Sequence, residues 1–145
     1  MYKHILIPTD GSTRSEQAIK QGIMLAKALN AKVTAVTVSP TFHTFAVEPM
    51  MVTDTPKQYE EDCKLRAAKY LAVAKDAAKA AGVSYGEGYM IHDHPYEAII
   101  DAATKNDCDL IFMASHGRKG VSALVLGSET TKVLTHSKIP MLVCR

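Results

Sequence analysis

Five short apolar runs recur along the chain, and helix-compatible stretches fill the gaps between them. The runs are "HILIPT" (4–9), "KVTAVTV" (32–38), "SYGEGYMI" (84–91), "DLIFMAS" (109–115) and "PMLVCR" (140–145). The first, second, fourth and fifth are continuous rather than alternating, as strands buried on both faces tend to be. The third is interrupted by Gly86 and Gly88 and suits a sheet edge. Strands alternating with helices predict βαβ units, hence a largely parallel α/β sheet with helices on both faces and right-handed crossovers. A chain of 145 residues fits one such domain, residues 1–145, with a sizeable core.

The intervening helices follow from the 3.6-residue period. From Arg14 to Asn30, the positions Ala18, Gly22, Leu25, Ala26 and Leu29 share one face. Ser12 or Thr13 can cap the start, and Glu16 stands three residues beyond Thr13, the spacing of a capping box. From Lys57 to Ala81 a second stripe runs through Cys63, Ala67, Tyr70, Leu71, Ala74, Ala77, Ala78 and Ala81, with Gly82 as the stop. Pro95 opens a third helix that reaches about Lys105, and a fourth spans about Ser128 to His136.

In parallel sheets of this type a ligand binds at the carboxyl ends of the strands, where the strand order reverses. That rule directs attention to the loops after the first and fourth strands. The first loop, "PTDGS" (8–12), carries Asp10, which can accept a ribose hydroxyl, hold Mg²⁺ through oxygen, or simply form a turn. The second, "ASHGRKGVSALVLGS" (114–128), contains Gly117 and Gly120, whose backbone amides can turn toward an anion. Arg118 and Lys119 add charge that would neutralise it. Gly127 and Ser128 begin a helix whose free N–H groups favour negative charge. Neither the Walker loop nor the GxGxxG fingerprint is present. The aperiodic segment "SPTFHTFAVEPMMVTDTP" (39–56) follows the second strand and reads as a lid, a partner surface or a surface excursion.

Composition removes several function classes. A net charge of +2, the absence of Trp and only three Phe argue against a nucleic-acid binder with a basic face and stacking platforms. Cys63, Cys108 and Cys144 lack metal or disulfide spacing, so a reducing, cytoplasmic setting is expected, with Cys108 and Cys144 as inert core thiols. The opening "MYKHILIPTDGS" has no signal-peptide pattern, and no apolar run approaches the roughly 18 residues of a membrane span. "HDH" (92–94) offers two imidazoles but no third ligand cluster, and reads first as a solvated loop before Pro95. Asp10, His116 and Ser128 could suggest a hydrolase triad, yet no GxSxG elbow supports one.

Taken together, "PTDGS", the long Ala-rich second helix, "HP" opening the third, and "SHG" followed nine residues later by "GS" before "IPMLVCR" resemble the universal stress protein family over essentially the whole chain. The resemblance implies a single five-stranded parallel α/β sheet of Rossmann-like type. It also implies a homodimer joined through the last strand (140–145) and, in one branch of the family, ATP binding through Gly-x2-Gly-x9-Gly-Ser/Thr. The matching positions here are Ala114, Gly117, Gly127 and Ser128, so both gaps are intact and the first glycine is alanine. By this similarity Pro8, Thr9, Val38 and Met113 would surround adenosine, and Asp10 would face the ribose or a metal-linked phosphate. Gly117, Gly127, Ser128 and Thr130 would hold phosphates. His116, as a phosphate contact or a turn residue, joins Arg118 and Glu129 in the expected set.

Ala114 sets a specific condition. At negative φ its methyl costs the fold nothing, and at positive φ about 1–2 kcal/mol. Pressed against a nucleotide it would cost roughly 1–3 kcal/mol, about ten- to a hundredfold in affinity. The expected function is a cytoplasmic, dimeric, nucleotide-dependent stress-response regulator that takes ATP, or AMP or ADP, with or without Mg²⁺, acts on an unidentified protein partner and is at most a slow ATPase. The rival readings are a nucleotide-free protein-interaction module of the same fold and a slow metal-dependent ATP hydrolase.

Overall fold

The computed structural model describes residues 1–42, 55–118 and 126–145. In chain order these form β1 (His4–Pro8), α1 (Thr13–Leu29), β2 (Lys32–Ser39), α2 (Pro56–Ala81), β3 (Tyr85–Ile91), α3 (Pro95–Lys105), β4 (Leu110–Ala114), α4 (Ser128–His136) and β5 (Met141–Cys144). All strand pairs are parallel, in the order β3-β2-β1-β4-β5. The chain thus winds outward from β1 to β3, then returns to the other side of β1 with β4. The reversal lies between β1 and β4, as expected for a fold that places a ligand crevice there.

Alternation along the central strands divides the core between two faces. Ile5 and Ile7 of β1 and Leu110, Phe112 and Ala114 of β4 pack with Ile19, Ile23 and Ala26 of α1 and Leu71, Ala74 and Ala78 of α2. Leu6 of β1, Val36 of β2 and Ile111 of β4 pack instead with Ile99, Ala102 and Ala103 of α3 and Val133 of α4. Ile5, Leu6 and Ile7 are fully buried, which explains why "HILIP" reads as a continuous apolar run. Small alanines at 74 and 78 let α2 approach the sheet closely, so a stripe of modest hydrophobicity still buries a full face.

Three expectations need correction. β5 lies at a sheet edge and is only partly buried, with Leu142 39% exposed, whereas its apolar run suggested a strand covered on both faces. The cap of α1 is Ser12, whose hydroxyl accepts from the Ser15 amide at 3.2 Å, so Glu16 falls one position beyond the capping-box site. The buried face of α1 includes Ile19 and Ile23, while Leu25 and Leu29 sit at its margin. The edge position of β3 is as expected. Asn30 and Gly82 close α1 and α2 in the left-handed conformation. Of the 39–56 segment, residues 43–54 lie outside the described residues, as do Lys119 and Gly120.

All three cysteines are free and buried. Burial pushes the Cys108 thiol up to about 11 and raises that of Cys144, so neither is poised as a thiolate. No described helix is long and apolar enough to cross a membrane.

Candidate functional site

A cleft of about 520 Å³ opens at the carboxyl edge of the sheet, over the reversal between β1 and β4. Its size is typical of small-molecule sites. The described residues expected at the site line it: Pro8, Thr9 and Asp10 after β1, Val38 on β2, Met113 and Ala114 on β4, His116, Gly117 and Arg118 beyond, and Gly127, Ser128, Glu129 and Thr130 at the start of α4. Ser15, Val36, Pro40, Asp93, Pro95 and Ile99 complete the lining. Val36, Val38, Ile99 and Met113 belong to the α3–α4 side of the core, giving the cleft an apolar wall.

The loop after β1 is built around Asp10. Gly11 takes φ of +77°, the turn that brings the Ser12 amide back to Asp10 Oδ1 at 3.0 Å. Asp10 Oδ2 accepts from the Arg118 amide at 2.6 Å, so one carboxylate pins the two loops together across 108 residues of sequence. Burial raises the Asp10 pKa, but hydrogen bonds from the Ser12 hydroxyl and amide, the Arg118 amide and Ser15 outweigh it, leaving the carboxyl below its ordinary value. A carboxyl depressed in the folded state contributes stability above its unfolded pKa and loses it as pH falls through the folded one. Asp10→Asn should therefore be less stable than the parent at pH 7, and denaturant midpoints should converge only as pH falls through the folded-state pKa, below the ordinary carboxylate value, where the parent carboxyl is also protonated.

The second loop ends in a helix start with open donors. Gly127 caps α4 without any side-chain hydrogen bond, so the first-turn amides are not occupied by a capping side chain. Gly127 donates its own amide to the Ser115 carbonyl at 2.7 Å, which folds the loop back against β4. Thr130 donates its hydroxyl to the Ala114 carbonyl at 2.9 Å and is 2% exposed. Its hydroxyl therefore ties α4 to β4 and is not a free phosphate donor. Glu129 accepts from the Tyr96 amide at 3.0 Å. It supplies the cap that α3 otherwise lacks, since His94 makes no side-chain cap bond.

Ala114 meets the permissive condition. Its φ is not positive, and its methyl lies in the α1–α2 core cluster, on the opposite face from the apolar wall of the cleft. The alanine consequently costs the backbone nothing and directs its side chain into the core.

His116 is 5% exposed; its Nδ1 pairs with Ser115 Oγ at 3.0 Å, and its Nε2 is buried without a partner among the described residues. Its ring bonds to neither Ser128 nor Asp10, so no Ser–His–Asp relay is assembled among the described residues. His92 faces Glu97 at 3.8 Å, and among the described residues no group of three or more His, Cys, Asp or Glu side chains is placed to hold a metal.

Arg118 is less simple than its charge suggested. Its guanidinium donates to the Asp10 carbonyl at 3.3 Å and to the Tyr70 hydroxyl at 3.1 Å, and lies 5.6 Å from the centre of the Tyr70 ring. Tyr70 had been legible only as one position of a helix stripe. Nothing in the sequence signals that a residue in the middle of α2 reaches both loops.

A doubly wound parallel sheet with its crevice at the reversal point and an uncapped helix start beside it defines a Rossmann-like α/β protein. The universal stress protein family matches residues 1–145, and the chain belongs to that family. A universal stress protein of Methanocaldococcus jannaschii is 32% identical over 148 residues, covering 100% of this chain and 83% of the relative. Among solved structures, the hypothetical protein MJ0577 superimposes with a TM-score of 0.80 at 27% identity, over 99% of this chain and 95% of that one. A universal stress protein in complex with cAMP (TM-score 0.67, 23% identity, 99% and 97% covered) and one from Archaeoglobus fulgidus in complex with dAMP (0.71, 17%, 99% and 98%) share the fold.

Proposed function

We propose that this chain binds an adenine nucleotide in the cleft between β1 and β4 and acts through the bound state rather than through fast turnover. The observation that carries the reading is convergence: two loops more than a hundred residues apart are pinned by Asp10, and their residues line one cleft with the open first turn of α4. The apolar wall of Val38 and Met113 suits a base, while the glycine-flanked amides and helix start suit phosphate. The cAMP and dAMP complexes of fold relatives support an adenine ligand.

Within that reading, Pro8, Thr9, Val38 and Met113 flank adenosine, Asp10 faces the ribose, and Gly117 and Ser128 hold phosphate, while Gly127, its amide committed to the Ser115 carbonyl, shapes the turn that presents them. Ala114 shapes the floor without entering the site. Asp10 offers Mg²⁺ little directly: its carboxylate already accepts the Ser12 and Arg118 amides and bonds from the Ser12 and Ser15 side chains, so a metal would rest mainly on phosphate oxygens and water. The single α/β unit spans residues 1–145 and pairs with a second copy through β5, an uncovered edge whose Leu142 is exposed. The protein would work in the cytoplasm as a nucleotide-dependent stress regulator. Calorimetric titration with AMP, ADP and ATP, with and without Mg²⁺, should give saturable heat with one site per chain. No heat with any of them at millimolar concentration would refute the reading.

A further inference from the structure

Among the described residues lining the cleft, Arg118 is the one fully cationic side chain, and it is opposed by the carboxylates of Asp10, Asp93 and Glu129. Glu129 is balanced by Lys132 at 3.4 Å, but a ligand carrying several phosphates would still meet the like charge of Asp10 and Asp93 unless Arg118 turned toward it. In the structure its guanidinium is already engaged, held by the Tyr70 hydroxyl, the Tyr70 ring and the Asp10 carbonyl. Tyr70 is itself fixed, because its ring lies against Gly11, where an added Cβ would sit 2.2 Å from Tyr70 Cε1. Arg118 is exposed, and exposed cation–π contacts and hydrogen bonds of this type are weak enough for a phosphate to replace. Its backbone, in contrast, stays anchored by the amide on Asp10. The side chain can rotate while the loop holds.

We infer that Tyr70 is a positioning residue that holds the Arg118 guanidinium at the cleft margin, so that it is released only to a ligand whose phosphate chain reaches it, and the Tyr70–Arg118 pair thereby sets the discrimination between mono- and polyphosphate nucleotides. The inference rests on the adenine-nucleotide reading of the same cleft. The α-phosphate belongs to the amides of the glycine loop and α4, while Arg118 serves the phosphates beyond it. Removing the Tyr70 hydroxyl removes a competitor for the guanidinium; removing the guanidinium removes the prize.

The test is a double-mutant cycle read as the ratio of ATP to AMP affinity. Tyr70→Phe should raise that ratio about three- to tenfold, and Arg118→Ala should lower it about tenfold, the scale of a hydrogen bond to a charged group. The double variant should match Arg118→Ala. If Tyr70→Phe changes AMP and ATP affinity by the same factor, or still moves the ratio without Arg118, the inference is wrong and Tyr70 is a packing residue only. Should the unmodified protein bind neither nucleotide, the functional reading falls, and inorganic tripolyphosphate still decides this one. Displacement of the Tyr70 ring resonances on its addition supports the parked guanidinium; unmoved resonances up to saturating salt-matched tripolyphosphate overturn it.

Discussion

Gly117→Val should reduce adenine-nucleotide affinity by roughly a hundredfold or more, equivalent to about 2.8 kcal/mol, with a smaller loss of stability, set by the hydrogen bond from the Arg118 amide to Asp10. A Cβ at this position would stand 2.4 Å from Asp10 Oδ2, a distance no side chain tolerates. The carboxylate cannot simply swing away, because its other oxygen is held by the Ser12 amide. The Arg118 amide must then release Oδ2, and the two loops separate at the point proposed to meet the ribose and phosphates. Little apolar surface is disturbed, since Gly117 is exposed and the core lies beneath β4. Binding and stability should therefore part company. Equal losses of both would mean that the loop contact matters to folding and not to the site.

Gly11→Ala should do the reverse and cost the fold heavily. An L-residue at φ of +77° carries about 1–2 kcal/mol of backbone strain. The added methyl would also meet the Tyr70 ring at 2.2–2.5 Å, and overpacking of this kind adds roughly 1–3 kcal/mol. The sum, about 2–5 kcal/mol, is a large part of the 5–15 kcal/mol typical of a domain this size. Thermal denaturation should show a midpoint lower by roughly 5–15 °C. Tyr70→Ala combined with Gly11→Ala separates the two terms. If the second substitution restores none of the loss, backbone strain accounts for all of it and the ring contact for none.

The sheet was legible because burial on both faces leaves a plain trace: Ile5–Ile7 of β1 carry no polar residue to face water. The edge position of β5 was not, because an apolar run records what a strand is made of and not whether a neighbour lies beside it. Capping chemistry was ambiguous for a similar reason. Ser12 and Thr13 are both competent, and only the extended backbone at Ser12 decides between them. At the site, the spacing of Gly117, Gly127 and Ser128 and the turn at Asp10 located the cleft, since βα loops at one sheet edge must share a neighbourhood. The division of labour inside it was hidden. Thr130, Glu129 and Arg118 looked like ligand contacts, yet their partners are the Ala114 carbonyl, the Tyr96 amide and the Tyr70 hydroxyl, all contributed by other elements. Polar side chains beside a candidate phosphate cradle thus include the struts that hold it, and sequence spacing does not tell strut from contact.

Ala114 illustrates the same limit from the other direction. An alanine where the family motif has glycine suggested a weakened site, but strand alternation sends its methyl toward α1 and away from the apolar wall. The substitution alone should therefore not lower affinity.

Amide-resolved NMR of the unmodified protein during titration with AMP tests the central claim most directly. The account predicts saturable shifts at the backbone amides of Gly117, Gly127 and Ser128, accompanied by Val38 and Met113, with the amino-edge residues Asn30 and Gly82 unmoved. Shifts confined to other surfaces, or none at millimolar AMP, would contradict it.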